Sequence, residues 1–221
     1  MILDPDTLRS NLLKYTTLAF SLLPKLHRPN ILDAGCGTGV PTIHLAELSD
    51  GTIVAIDTDQ AALAKLTEKL AHKGLSSRVN VLKASMQNLP FRKECFDVVW
   101  AEGSISHLGF HAALELLGQY VKTDGFVVLH DDAGDYLHKI SMVQNKGFLL
   151  LGFFLLSDSV WWDEYYKPLG ASLASADSAC PPHTIDDIKK ELERFGNDPK
   201  RFQSAFFVTK KTQPMLTRGS R

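Results

Sequence analysis

Ile31-Leu32-Asp33-Ala34-Gly35-Cys36-Gly37-Thr38-Gly39 is the stretch from which the rest of the chain is read. A short apolar run stops at Gly35, three glycines stand at alternate positions, and a helical pattern begins at about Val40. Glycine permits a tight turn and lets backbone N–H groups approach a ligand without a Cβ between them. A helix N-terminus directly after such a turn favours negative ligand groups through its free N–H donors and its dipole. The spacing is GxGxG, with Val40 next, whereas a dinucleotide site needs GxGxxG so that its third glycine packs helix against strand. Taken alone, the pattern also suits a plain tight βα turn. Asp57 sharpens it, because an acid at the end of the second strand, roughly 20 residues beyond the glycines, can accept both hydroxyls of a ribose. Asp57 and Asp59 both suit the N-cap of the helix that follows.

Moving outward, strands and helices alternate. A helix over about 40–48 leads to a strand at Thr52–Ile56. A helix over about 60–73 carries Leu63, Leu66 and Leu70 on one face, with Gly74 as its C′ residue. Strands follow at 79–84 and 96–101. A helix then carries Leu114, Leu117 and Val121 and ends at the turn signal Thr123-Asp124-Gly125, before a strand at 126–130. Short apolar strands separated by helices of this length predict parallel βαβ units with helices on both faces of the sheet. Ahead of the glycines, Asp4-Pro5 predicts a helix start, and Leu8, Leu12, Tyr15, Ala19 and Leu22 continue it to Pro24. Beyond His130 we expect a helix over 136–144, a strand over 148–156, and a capping box at Thr184 and Asp187 for a helix reaching Phe195. A last strand is expected at 205–209.

Asp33-Ala34-Gly35-Cys36-Gly37-Thr38-Gly39 resembles the first motif of the class I S-adenosylmethionine-dependent methyltransferases. Leu89-Pro90-Phe91 and Phe96-Asp97-Val98-Val99 resemble later motifs of their small-molecule branch, the quinone- and sterol-type enzymes (methyltransferase type 11). The resemblance covers about residues 30–131. It implies a Rossmann-like α/β/α sandwich around a seven-stranded, mostly parallel sheet of order 3-2-1-4-5-7-6, strand 7 antiparallel. It also implies S-adenosylmethionine as cofactor and S-adenosylhomocysteine as product. Asp33 then sits near the methionine amino group, with Gly35, Cys36, Gly37 and Gly39 shaping the loop. Asp57, with Thr58 beside it, holds ribose, and Ser85 and Met86 flank adenine. Ser85 departs from the family, which often has Asp there; a hydroxyl can accept from the adenine amino group but lacks the charge. Ser85 also reads as a loop residue and Met86 as core.

Ligands of open α/β sheets bind beyond the carboxyl ends of the strands. Candidates for acceptor contact are therefore Glu102, Ser104, Ser106 and His107 after the fourth strand, and His130, Asp131 and Asp132 after the fifth. Glu102 is expected to complement the sulfonium or hold substrate, and His107 to accept a proton near neutral pH; both also read as solvated loop residues. Trp161-Trp162-Asp163-Glu164-Tyr165-Tyr166 either walls the acceptor site or forms an amphipathic helix over the sheet edge. Cys36 reads as a packing residue, and Asp131-Asp132 lacks further ligands at metal spacing, so no metal is expected.

The 221 residues, 44% hydrophobic and 22% charged, suffice for one sizeable α/β domain. We divide them into a helical segment at 1–29, a cofactor-binding domain at 30–212 with a cap-like insertion at about 157–200, and a polar, disordered tail at 213–221. A net charge of −1 does not favour nucleic acid as partner. The three scattered cysteines and the absence of a charged, apolar leader fit the cytoplasm. The apolar run at 148–156 is under half the roughly 20 residues that a membrane span needs. The acceptor is expected to be a small molecule. Two other functions share much of this pattern: a nicotinamide-dependent oxidoreductase, and a non-catalytic S-adenosylmethionine-binding regulatory protein.

Overall fold

The computed structural model describes residues 4–174 and 182–212. Seven strands form one sheet of order β3-β2-β1-β4-β5-β7-β6. They are β1 (Asn30–Ala34), β2 (Thr52–Asp57), β3 (Val79–Lys83), β4 (Phe96–Glu102), β5 (Val121–Asp132), β6 (Phe148–Leu156) and β7 (Ser204–Lys211). β1 to β5 run parallel, and β7 inserts antiparallel to both β5 and β6. The order reverses at β1 and β4, which opens a crevice at their carboxyl ends, and the glycine loop occupies that place.

One face of the sheet is covered by α2 (Leu13–Ser21), α3 (Val40–Leu48) and α4 (Gln60–His72). The other is covered by α5 (Phe110–Leu117) and α6 (Tyr136–Asn145). The middles of the central strands are therefore apolar: Ile31, Leu32, Val98, Val99 and Trp100 are fully buried. A third, smaller core joins α1 (Pro5–Ser10) to the segment between β6 and β7 through Leu8, Tyr165, Tyr166, Leu169, Ile188 and Phe195. That segment holds α7 (Asp158–Trp161), a π-helical turn at Trp162–Tyr166, α8 (Lys167–Ala174), α9 (Pro182–Asn197) and a 3-10 turn at Pro199–Phe202. This third core lies over the carboxyl end of the sheet, where it forms a roof.

Two expectations need correction. The helical run at 8–22 is two helices, because the chain breaks at Asn11-Leu12 so that α1 can turn away toward the roof while α2 stays on the sheet. Val121 is a strand residue and not the last turn of a helix: α5 ends at Leu117, and β5 starts earlier than expected. The turn signal at 123–125 is nevertheless obeyed inside the strand. Asp124 adopts φ 65°, and the pairing jumps from Phe96↔Val121 to Val98↔Phe126. The side chain of Thr184, on which the expected capping box depends, and the tail at 213–221 lie outside the described residues.

Candidate cofactor and acceptor site

A cavity of about 520 Å³ opens at the carboxyl ends of β1, β2, β4 and β5, floored by the glycine loop. The amides of Gly35 and Cys36 both donate to the Ile56 carbonyl, at 2.8 and 2.9 Å, which pins the loop to the end of β2. Gly35 has φ 81°, and a Cβ there would lie 2.3 Å from the Ser104 Cβ. Ser104 in turn donates its hydroxyl to the Ala34 carbonyl at 2.7 Å, so the loops after β1 and β4 are locked together. Gly39, at φ 82°, begins α3, and its missing Cβ admits Leu66 of α4. Gly37 differs: a Cβ there would meet nothing within 4 Å, and the residue lines the cavity.

Asp57 is fixed beside it. Its Oδ2 accepts from the Gly37 amide at 2.8 Å and its Oδ1 from the Asp59 amide at 2.9 Å. Asp59, not Asp57, caps α4 by accepting from Ala61 and Ala62. A carboxylate has about four lone-pair sites, so two remain for a ligand.

Two further acids stand deeper. Asp33 is 2% exposed and accepts from the Thr42 hydroxyl at 2.6 Å. Burial pushes its pKa up to about 6, against that hydrogen bond, and the Asp57 charge adds to the rise. Glu102 accepts from the Thr16 hydroxyl and from the Trp100 indole, each at 2.9 Å. Burial lifts its pKa to about 7, opposed by those two donors and reinforced by the Asp33 charge. The site thus holds two carboxyls whose titration burial moves toward neutral pH.

Residues 31–125 match the family model for a methyltransferase domain. Over that stretch, a little under half of the chain, the protein is similar to methyltransferases. It is 28% identical over 171 residues to an uncharacterized methyltransferase of Bacillus subtilis, YodH, covering 74% of this chain and 71% of that one. It is 28% identical over 105 residues to the 27-O-demethylrifamycin SV methyltransferase of Amycolatopsis mediterranei, covering 48% of this chain and 39% of that one. The chain spans less than half the length of the first curated relatives that it matches, 41% and 21%. Among solved structures, a methyltransferase from Geobacter sulfurreducens in complex with S-adenosylhomocysteine superposes with a TM-score of 0.68, at 15% identity, over 89% of each chain. The [4+2]-cyclase SpnF superposes with a TM-score of 0.74, at 18% identity, over 91% of this chain and 82% of that one. Fold alone therefore does not name the reaction. The nicotinamide reading gains no support from these comparisons.

The other expected site residues fall as follows. Thr58, Ser85, Met86, Cys36 and His107 all line the cavity. Ser85 accepts from the Gln87 amide at 3.2 Å, and Met86 is both a core residue and a wall. The Cys36 thiol is buried, and burial raises its pKa, which suits packing and not nucleophilic attack. His107 is exposed at the rim, whereas Ser106 does not line the cavity. Asp131 and Asp132 pair with Lys139 at 2.7 and 3.1 Å and do not line the cavity. Among the described residues, no group of three or more His, Cys, Asp or Glu could hold a metal ion. Nor, among them, is any helix long and apolar enough to cross a membrane.

The aromatic segment packs into the third core. It is helical, and Trp161, Tyr165 and Tyr166 still line the cavity. Sequence reasoning missed Asp6, Thr16 and Trp100. Asp6 accepts from the Thr38 hydroxyl at 2.6 Å and from Lys69, whose ammonium also donates to the Thr38 carbonyl at 2.9 Å. Only Trp100 left a signal, since residues two apart on a strand share a face with Glu102.

Proposed function

We propose that the chain transfers the methyl group of S-adenosylmethionine to a small-molecule acceptor and releases S-adenosylhomocysteine. The observation that carries this reading is the Asp57 carboxylate, oriented by two backbone amides beside an unobstructed Gly37. No Cβ at position 37 stands in the way of a nucleoside sugar there. We assign Asp33 to the amino group of the methionine moiety, Gly35, Cys36, Gly37 and Gly39 to its backbone cradle, Asp57 and Thr58 to ribose, and Ser85 and Met86 to adenine. Because the Ser85 oxygen already accepts from Gln87, it keeps a hydroxyl proton and a lone pair to offer.

The cofactor supplies an electrophilic methyl on a sulfonium; the chain supplies position and field. Alignment of donor and acceptor alone can lower such a barrier by ~7–11 kcal/mol. We assign Glu102 to complementing the sulfonium and, with His107 at the rim, to taking the acceptor's proton. Residues 30–212 are then the catalytic domain, the insertion at about 157–200 its cap, and 1–29 a helical segment that braces both. The rifamycin methyltransferase is named for a small organic acceptor, which supports that class for this chain.

Calorimetry with S-adenosylmethionine and S-adenosylhomocysteine tests the reading. Asp57→Ala should weaken both by about 10-fold or more, the loss of hydrogen bonds to a charged group. Unchanged affinity would remove Asp57 from the sugar, and no binding by the unmodified chain would end the proposal.

A further inference from the structure

Thr16 lies within α2 and is fully buried. A threonine inside a helix commonly returns its hydroxyl to the carbonyl one turn back, as Thr67 does to Leu63 at 2.8 Å. Thr16 instead reaches across to the end of β4, where its hydroxyl lies 2.9 Å from Glu102 Oε1 and 3.2 Å from Oε2. On β4 itself, the Trp100 indole N–H donates to Oε2 at 2.9 Å. Residues two apart on a strand share a face, so the ring and the carboxyl stand side by side. Glu102 stays partly exposed and lines the cavity, whereas Thr16 and Trp100 are shut away from water.

Packing alone does not call for the Thr16 hydroxyl. A buried hydroxyl costs free energy unless it is hydrogen-bonded, and valine would fill similar space without that cost. The carboxyl that it serves explains it. An indole N–H can only donate, so Oε2 must accept. Donors aimed at a carboxyl favour its ionised form. The groups around it do not supply a cation in their place. Asp33 on β1 acts the other way, adding to the rise in the Glu102 pKa. His130, the register partner of Glu102 on β5, brings no charge: burial holds its imidazole pKa down to about 4, and its Nε2 lies 2.8 Å from the Ser204 hydroxyl. Lys14, the one charged residue of α2, is paired with Glu164 instead. Arg9 of α1, Asp57 of β2 and Glu191 of α9 line the same cavity.

We propose that Thr16 and Trp100 are positioning residues, which hold the Glu102 carboxylate at the cavity and so make the site favour the sulfonium of S-adenosylmethionine over the uncharged thioether of S-adenosylhomocysteine. The inference rests on the methyl-transfer reading and on its assignment of Glu102. Its consequence is easier product release. Methyl transfer removes the positive charge from sulfur, and the carboxylate then has no cation left to complement.

Calorimetry of the full chain with each cofactor form, across about pH 5.5 to 8.5, reads the preference. Thr16→Val keeps the shape and loses the donor, so it should raise the Glu102 midpoint by about one pH unit. S-adenosylmethionine should then bind about fivefold more weakly at pH 7, while S-adenosylhomocysteine stays within about twofold. Thr16→Ser, which restores a hydroxyl, should restore the preference. Carbon-13 NMR of the glutamate carboxyls, assigned with Glu102→Gln, measures the same midpoint without any cofactor. Trp100→Phe should move that midpoint the same way; because it also empties space in the core, the Thr16 variants carry the decision. A loss shared equally by both cofactor forms would make Thr16 a brace of the fold and overturn the proposal, as would an unmoved Glu102 midpoint in Thr16→Val. If neither form bound the unmodified chain, the methyl-transfer reading would end and the preference with it. Binding of both forms, with a ratio that Thr16→Val leaves unchanged, would overturn the proposal alone.

Discussion

Gly35 and Gly37, two residues apart, meet different physical demands, and their substitutions should fail in different assays. Alanine at 35 would thrust a methyl group 2.3 Å from the Ser104 Cβ in a left-handed backbone, so it should cost about 2–4 kcal/mol of stability. Alanine at 37 meets nothing, so only the backbone strain of about 1–2 kcal/mol remains. Gly35→Ala should therefore lower Tm more, whereas Gly37→Ala should keep more of its Tm and lose cofactor affinity, because its methyl group stands at the cavity. Equal losses of Tm with equal affinities would contradict this division. The acids give a pH signature. Asp33 and Glu102 have pKa values raised to about 6 and about 7 in the fold, above their ordinary values of 3.8 and 4.5. Between pH 4 and 7 the folded chain thus binds more protons than the unfolded one, and these groups make stability fall as pH rises through that window, then level off. A cation prefers the ionised carboxyls, so S-adenosylmethionine affinity should rise from about pH 5.5 to 8 with proton release on binding. Buffer-dependent calorimetry measures it, and Glu102→Gln should flatten the upper part of the rise. The glycines were legible as one short motif, and Asp57 and Glu102 because they end strands whose carboxyl ends face the ligand site. Thr16, which also holds Glu102, was not, since its proximity arises only when α2 crosses the sheet.

Helix α1 is too short to hold itself, and its anchors explain its position. Asp4 caps it, Leu8 packs under the roof, and Asp6 reaches Thr38 and Lys69 in the glycine loop and α4. The helix thus joins cofactor loop to roof. Because Asp6 and Lys69 are partly screened by solvent, at 17% and 34% exposure, Asp6→Ala should cost only about 1 kcal/mol, or roughly 2–4 °C of Tm. It should also weaken S-adenosylhomocysteine a few-fold by freeing Thr38, and Asp6→Asn, which still accepts from that hydroxyl, should restore most of the loss. Identical affinity in Asp6→Ala would make α1 a brace of the fold alone. At this scale the sequence spoke clearly wherever apolar periodicity and a cap coincided, as at α4 with Asp59 and Gly74. It misled wherever a long-range partner redirected a continuous pattern. The run at 8–22 reads as one helix because nothing local marks the break at Asn11-Leu12, and Val121 continues the α5 spacing although its place is beside Phe96.

For the whole molecule, the crevice, the glycine loop and the roof converge on one cavity, so a ligand there should stabilise all three together. α1, the loops after β1 and β4, and the aromatic segment contribute to its wall from distant parts of the chain, with Arg9, Ser104 and Tyr166 among them. A ligand that binds only the folded state stabilises it by about 2.7 kcal/mol at a hundred times its Kd. For a domain of this size that corresponds to a rise in Tm of about 5–11 °C. S-adenosylhomocysteine should produce such a shift, and NAD at the same concentration should produce none, since GxGxG with Val40 lacks the third glycine that packs helix to strand beside a pyrophosphate. Hydrogen exchange in the same samples should show protection spreading from the glycine loop to α1 and to Trp161–Tyr166. A shift in Tm with protection confined to the loop would mean that the roof senses only the acceptor. A shift with NAD alone would reverse the reading of the cavity altogether, because only a pyrophosphate-binding turn would then account for it.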